Sequence, residues 1–212
     1  MRKQSVVTLT FMLTLAFSLS AQQGFQKMNN PEAFKKKVSE IAQITQTIQS
    51  TFVQEKQLSF MQEKIITKGV FYFKKEKQLR WEYNDPYSYV IILNEDVLYI
   101  KDDGNLNQID MKSNKTFKEI NEMMTRSLQG DILAENDKFS YELLESQYEV
   151  LVKLTPIDKE MKEYISQVDL YFDKNDLMVA RIDMHESGDL TTIQFTNRKM
   201  NEPVGEGLFS KD

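Results

Sequence analysis

The 212-residue chain contains no cysteine. This absence excludes disulfide scaffolds, thiolate metal sites and a cysteine nucleophile, and it leaves no cysteine for a lipid anchor. Histidine occurs only once, as His185 beside the Glu186-Ser187-Gly188 turn. A Ser-His-Asp triad needs a histidine held between a serine and an orienting acid. A single histidine next to a turn argues against such a site.

Glycine is also scarce, with 7 residues in the chain, and no glycine-rich loop is present that could hold a phosphate group. The acidic turns do not form a calcium loop. In a loop starting at Asp173, the sixth position needs a glycine and the twelfth a glutamate, but Met178 and Met184 occupy these positions. We therefore expect no catalytic residue, no cofactor and no metal site, and the chain is not expected to be an enzyme.

An excess of positive charge is missing too. The chain has 27 basic and 32 acidic residues, and without Arg2 and Lys3 the balance becomes 25 − 32 = −7. Proteins bind nucleic acids through a basic face that displaces counterions. The two basic clusters, Lys35-Lys36-Lys37 and the segment 74–77, are diluted by nearby acids. We expect both to be solvated surface, and we expect no nucleic-acid partner.

The start of the chain has the composition of an export signal. Residues 1–21 begin with two basic residues, continue with an apolar stretch and end with Ser20-Ala21. This order predicts a signal peptide that is cleaved near Ala21. An uncleaved membrane anchor is the alternative, although the stretch is short for a membrane span. Export without a lipidation cysteine predicts a periplasmic protein in which residues 22–212 form a single domain.

Large apolar residues occupy both faces of several predicted strands. A half-buried strand alternates apolar and polar residues, but Gly69-Val70-Phe71-Tyr72-Phe73 has aromatic residues on both faces, and the segments 89–93 and 97–100 repeat this pattern. Both faces must therefore be covered. A curved sheet that lines an apolar cavity would explain the pattern, and so would an ordinary two-layer core. The pattern alone does not separate the two.

Helical and strand periods follow one another along the chain. Asn30-Pro31 is typical of a helix start, and a helix to about Ser50 is predicted by apolar residues at helical spacing. These are Phe34, Val38, Ile41, Ile44 and Ile48. A second short helix is predicted over 120–133. Strands are predicted at 51–58, 64–74, 78–84, 87–93, 96–101, 138–145, 148–155, 164–172, 177–185 and 190–196. The fold class is mainly β, with antiparallel strands.

A series of short landmarks follows the first helix in a recognisable order. They are Phe52-Val53-Gln54, Gly69, Leu79-Arg80-Trp81, Asp85-Pro86, Leu98-Tyr99, Asn107-Gln108-Ile109, the helical segment after 120, Leu154-Thr155-Pro156, and the hairpin at Ser187-Gly188-Asp189 before Thr192-Ile193-Gln194-Phe195. No single landmark is specific. Together they extend over nearly all of residues 22–212, and their order resembles the periplasmic outer-membrane lipoprotein carriers (LolA-like proteins).

The resemblance implies an unclosed antiparallel β half-barrel whose concave apolar face is capped by helices. Its cavity would take the acyl chains of lipoproteins that an ATP-driven transporter releases from the inner membrane, for delivery to the outer membrane. The resemblance does not decide whether an outer-membrane acceptor exists, and we expect the protein to be a monomer. The expected cavity residues are Phe52, Phe71, Phe73, Leu79, Trp81, Tyr83, Ile91 and Tyr99. Leu79, Trp81 and Tyr83 share one strand face, and for Trp81 a plain core position is the alternative.

The family pattern also has an arginine-proline pair a few residues after the glycine, and this arginine bonds to the lid helices in the closed state. Lys75 and Glu76 occupy these positions here. We expect the five apolar residues of the first helix to form the lid, with Lys75 or Arg80 as its latch. A lysine in a solvated turn is the alternative for Lys75. The alternative function is binding, transport or sensing of another lipid or of an acyl or polyketide-type ligand.

Overall fold

The computed structural model describes residues 24–75, 78–111, 123, 125–127, 131–133 and 138–211. The predicted signal peptide therefore lies outside the described residues, and so does Glu76. Most of the second predicted helix also lies outside them. Of that segment, residues 123 and 125–127 are helical, and Asp131–Leu133 form a 3₁₀ turn. In the described ranges, no helix is both long and apolar enough to cross a bilayer.

Twelve described strands form one antiparallel sheet. They are β1 (Gln26–Lys27), β2 (Thr47–Gln57), β3 (Ile65–Lys74), β4 (Gln78–Asp85), β5 (Tyr89–Asn94), β6 (Val97–Asp102), β7 (Asn105–Asp110), β8 (Phe139–Glu145), β9 (Glu149–Pro156), β10 (Gln167–Asp173), β11 (Val179–Glu186) and β12 (Asp189–Met200). Their order is β1-β8-β9-β10-β11-β12-β2-β3-β4-β5-β6-β7, so β1 and β7 are edges and the sheet does not close into a barrel. The predicted fold class is confirmed.

The first helix is shorter than predicted. Helix α1 spans Pro31–Ile44, and the Asn30 side chain caps it by accepting a hydrogen bond from the Ala33 amide. The helix ends because Thr45 has an extended backbone (φ −75°, ψ 116°) and the β-branched residues Thr47 and Ile48 favour a strand. Ile48, which we predicted to lie on the helix, therefore belongs to β2.

Three short elements were not predicted. The edge strands β1 and β7 are polar, and β7 lacks the apolar alternation that would mark a strand. Helix α2 (Lys159–Tyr164) lies in a segment that we predicted to be a loop. It is capped by the Asp158 carboxylate, which accepts from the Met161 amide, and its Met161 is fully buried.

Each face of the sheet has its own apolar cluster. The inner face carries the main core, which includes Phe34 and Val38 of α1. The outer face carries a smaller cluster of Val90, Ile92 and Phe209, with four partly buried residues packed against it: Tyr72, Tyr99, Val204 and Leu208. The C-terminal segment 203–209 therefore covers the outer face of β3–β6. Two side chains of the outer face bind this segment. Arg80 Nη1 donates to the Leu208 carbonyl at 3.1 Å, and Asn94 Nδ2 donates to the Phe209 carbonyl at 3.3 Å.

Gly69 permits a close approach between β2, β3 and β4. The register of β3 against β4 shifts between Lys68 and Gly69, so that Tyr83 pairs with Gly69. A Cβ atom at Gly69 would lie 1.9 Å from the Glu82 carbonyl oxygen and 2.8 Å from Cζ of Phe52. The Phe52 ring thus occupies the space that a side chain at position 69 would fill.

We predict that Gly69→Ala destabilises the protein by about 3 kcal/mol or more, because the new methyl group would overlap backbone that cannot give way. The measurement is the urea midpoint at constant m-value. Gly207→Ala is the matched control, since no atom lies within 4 Å of a Cβ built there. Equal midpoints for the two variants would contradict this account of Gly69.

Candidate functional site

The inner face of β2, β3, β4 and β12 carries a cluster of aromatic rings. The Trp81 ring lies 4.9 Å from Phe52, 5.1 Å from Phe71 and 5.8 Å from Phe195, between ring centroids. The four side chains are at most 6% exposed. Such tilted and edge-on contacts stabilise aromatic pairs beyond their burial. This inner-face cluster belongs to the same apolar core as Phe34 and Val38 of α1.

The remaining predicted cavity residues, apart from Tyr99, lie on the same face. Phe73 pairs with Leu79, and Phe71 pairs with Trp81, which in turn pairs with Ile91. Cross-strand partners point to the same side of a sheet. Tyr83 lies next to Phe52, with ring centroids 5.2 Å apart.

Tyr99 was assigned to the wrong face. It pairs with Ile92 and packs into the outer cluster with Phe209. Ile100, its neighbour, pairs with Ile91 and belongs to the inner face. The error arose because both faces of β6 are apolar, so that the residue pattern does not indicate which side faces the core.

Helix α1 covers the inner face with fewer residues than predicted. The Phe34 ring contacts Phe172 edge-on at 5.5 Å, and Val38 is 1% exposed. Ile41 is half-buried, whereas Ile44 is 64% exposed and faces solvent. Ile48 is buried within the inner face itself rather than in the helix above it.

A groove lies at the N-terminal end of α1, with a cavity volume of about 320 Å³. Met28, Phe34, Val150 and Leu177 form its apolar part. At its rim Lys174 Nζ donates to Glu145 at 2.9 Å. This hydrogen bond, together with one from the Asn29 amide, holds the pKa of Glu145 below its ordinary value. Nothing in the sequence indicated this groove, because its residues come from three separate stretches of the chain, 28–37, 145–150 and 174–177, with no common motif.

Lys75 contacts the end of α1. Its ammonium donates to the carbonyl of Gln43 in the last turn of the helix at 2.9 Å, and its backbone amide donates to the Gln46 carbonyl at 2.7 Å. A cation suits a helix C-terminus, where carbonyl groups lack partners. Arg80 lies on the other face, where it binds Glu82 and the C-terminal segment. The latch role of Lys75 remains a prediction.

Polar side chains occupy the end of the inner face farthest from Lys75. The Tyr83 hydroxyl donates to Gln54 Oε1 at 3.0 Å. Burial, with smaller contributions from Tyr87 and Tyr89, raises the pKa of Tyr83 to about 12. Farther along β2, Lys56 is paired with Glu186 at 2.9 Å, and Glu186 also accepts from Thr191. Sequence reasoning missed Gln54 and Lys56, because polar residues on a strand are usually solvated.

In the described part of the chain, no group of three or more His, Asp or Glu residues is placed to hold a metal ion. His185 lies on β11, with its Nε2 atom 3.4 Å from an Asp169 carboxylate oxygen.

Several solved structures share this fold at low sequence identity. The complex structure of Pseudomonas aeruginosa MucA/MucB contains a chain that is 14% identical, with a TM-score of 0.51; the match covers 85% of this chain and 61% of that one. A DUF1329 family protein from Desulfovibrio piger is 13% identical (84% and 95% covered, TM-score 0.47). LolA superfamily protein NE2245 from Nitrosomonas europaea is 12% identical (84% and 96% covered, TM-score 0.45). These similarities concern the fold alone.

No curated protein is significantly similar to the chain. A protein-family model does match, over residues 43–212, and it is described as "Outer membrane lipoprotein carrier protein LolA". The match begins at the end of α1 and includes every strand from β2 to β12, which is well over half of the chain. The chain therefore belongs to the LolA family.

Proposed function

We propose that the protein is a periplasmic carrier that shields the acyl chains of lipoproteins between the inner face of its sheet and α1, and moves them from the inner to the outer membrane. The observation that carries this proposal is the inner-face aromatic cluster, which belongs to the same apolar core as Phe34 and Val38 of the amphipathic helix α1. Membership of the LolA family supports it. The proposal assumes that residues 1–21 direct export, and it names an ATP-driven inner-membrane transporter as the source of cargo.

The energies favour an exchange of α1 for an acyl chain. Moving α1 away would re-expose Phe34 and Val38, its two buried residues, at a cost of about 1.5–3 kcal/mol each. Burying an acyl chain of roughly fifteen methylenes contributes on the order of 10 kcal/mol, at about 0.8 kcal/mol for each methylene. Burial of the acyl chain therefore contributes more free energy than the loss of the helix contacts costs. When the cargo leaves, the helix contacts re-form and offset part of the cost of release.

The connection between α1 and β2 is where such a movement would occur. Thr45 ends the helix in an extended conformation, and Gln46 follows before the strand begins. Two of the bonds that hold this connection are exposed, whereas the Thr45 side chain is buried and its hydroxyl contacts the Ile41 carbonyl and the Met200 sulfur. Lys75 donates to Gln43, and the Gln46 amide donates to Asn201 Oδ1 at 2.6 Å. Rotation at one or two residues that end an element is the usual form of a hinge.

A second function is favoured by the polar end of the inner face. Tyr83 and Gln54 lie where a purely apolar surface would suffice for acyl chains alone. They fit a carrier or sensor of another lipid, or of an acyl or polyketide-type ligand with a polar group in the chain. The preferred ligand separates the two functions, since a lipoprotein carrier should prefer acylated peptide to free lipid.

We predict that a lipopeptide with brominated acyl chains quenches the emission of Trp81, the only tryptophan, in a saturable manner, because bromine quenches on contact and Trp81 lies in the inner-face cluster. A brominated phospholipid should quench more weakly at equal concentration. The control is Trp81→Phe combined with Tyr99→Trp, which places the single indole on the outer face. Quenching of both proteins, or of neither, would contradict the proposed location of the cargo.

We predict that Lys75→Leu still takes up lipopeptide but transfers it more slowly to acceptor vesicles, because the closed state competes less well with the acyl chains. The bond to Gln43 is exposed, so its loss is worth about 1 kcal/mol, or roughly a fivefold shift of the closed-to-open ratio. Lys75→Arg should keep the wild-type rate. Lys74→Leu is the control for loss of charge, and a Lys75→Leu rate equal to that of Lys74→Leu would exclude the latch.

A further inference from the structure

Two polar groups on the inner face are buried without a hydrogen bond of normal geometry. Thr67 is 2% exposed, and its Oγ1 makes no hydrogen bond among the described residues. The indole nitrogen of Trp81 is also buried and makes no hydrogen bond of normal geometry there. Buried donors are nearly always paired in folded proteins, because an unpaired donor destabilises the fold. The Thr67 hydroxyl and the Trp81 indole N–H therefore indicate that an acceptor is missing.

The two groups lie beside the only described hydrogen bond between side chains of the inner-face aromatic region. Thr67 is the cross-strand partner of Gln54, whose Oε1 accepts from the Tyr83 hydroxyl. Gln54 and Trp81 both counteract part of the rise in the pKa of Tyr83 that burial causes, which places the indole next to the phenol oxygen. A series of neighbouring contacts thus links four polar side chains at one end of the cluster formed by Phe52, Phe71, Trp81 and Phe195: Trp81 with Tyr83, Tyr83 with Gln54, and Gln54 with Thr67.

We infer that Gln54, Thr67, Trp81 and Tyr83 form a subsite that binds the carbonyl oxygen of the ligand's acyl linkage. This inference rests on the proposed function and names the part of the ligand that the inner face recognises. The indole N–H can only donate, and the Thr67 hydroxyl can donate. A carbonyl oxygen has two lone pairs and no proton, so it can accept from both groups at once.

Charge argues for a neutral linkage rather than a carboxylate or phosphate. None of the four side chains carries a charge at neutral pH, since Tyr83 keeps its proton. Lys56, the inner-face cation two residues farther along β2, is already paired with Glu186. A free fatty acid would bring its carboxylate to a site without a spare cation, and would lose more hydration than it regains.

The test compares two lipids that differ only in this carbonyl. They are 1-palmitoyl lysophosphatidylcholine and its 1-O-hexadecyl ether analogue, both below their micellar concentrations, with binding to the intact protein followed by calorimetry. Two hydrogen bonds to the carbonyl predict that the wild type binds the acyl lipid about tenfold more tightly than the ether. Thr67→Val keeps the shape and removes the hydroxyl. It should lower that preference about fivefold and leave the ether affinity unchanged.

Two further variants complete the design. Thr67→Ser keeps a hydroxyl and should restore the preference for the acyl lipid. Ser50→Ala removes another unpaired, buried inner-face hydroxyl. Ser50 lies in the same row as Phe71 and Trp81 but about 13 Å along β2 from Gln54 and its partner Thr67, so it is a control for the Thr67 hydroxyl, and the preference should persist. Equal wild-type affinity for ester and ether would overturn the subsite and leave the carrier function standing. Failure to bind either of these lipids would overturn the subsite, and failure to bind the brominated lipopeptide as well would overturn the carrier function. Thr67→Val should fold at least as stably as the wild type, because it removes an unpaired hydroxyl.

Discussion

The structure depends on covering both faces of strands β3–β6 with apolar material. The outer face is covered by the chain's own C-terminal segment, which Arg80 and Asn94 hold through partly buried hydrogen bonds. The inner face is covered in part by α1, which contributes two buried residues and whose bond to the Lys75 ammonium is exposed. Because the contacts of the two covers differ, we propose that the outer face stays covered and that a ligand replaces protein contacts on the inner face. This asymmetry connects the fold to the proposed carrier function.

The glycine at position 69 helps to position residues of both the core and the proposed ligand subsite. Without a side chain there, the Phe52 ring can approach the backbone of β3, and the shift in register brings Tyr83 opposite Gly69. Tyr83 then reaches Gln54 on β2, and Trp81 lies between Phe52 and Phe71. One residue without a Cβ atom therefore positions both the aromatic cluster and the polar groups at its end.

Alternation and turn residues were sufficient to predict most strands and the fold class, because strand periodicity is a local property of the chain. The predicted length of α1 was wrong because Ile44 and Ile48 continue the helical spacing. Thr45, Thr47 and Ile48 are β-branched and favour an extended chain. Tyr99 was assigned to the wrong face because both faces of its strand are apolar, and only the register against β5 decides which side it is on. Gln54 and Thr67 could not be predicted as site residues, since nothing in the sequence shows that polar residues on a strand face the core.

The most direct test of the account is the distance between α1 and the sheet with and without cargo. Since the chain contains no cysteine, Ser39→Cys on α1 and Thr155→Cys on β9, both exposed positions, provide unique sites for spin labels. Double electron–electron resonance should then give one narrow distance in the free protein, and a shifted, broader distribution once a lipopeptide is bound. The same distribution in both states, at saturating lipopeptide, would contradict the claim that acyl chains replace α1 on the inner face.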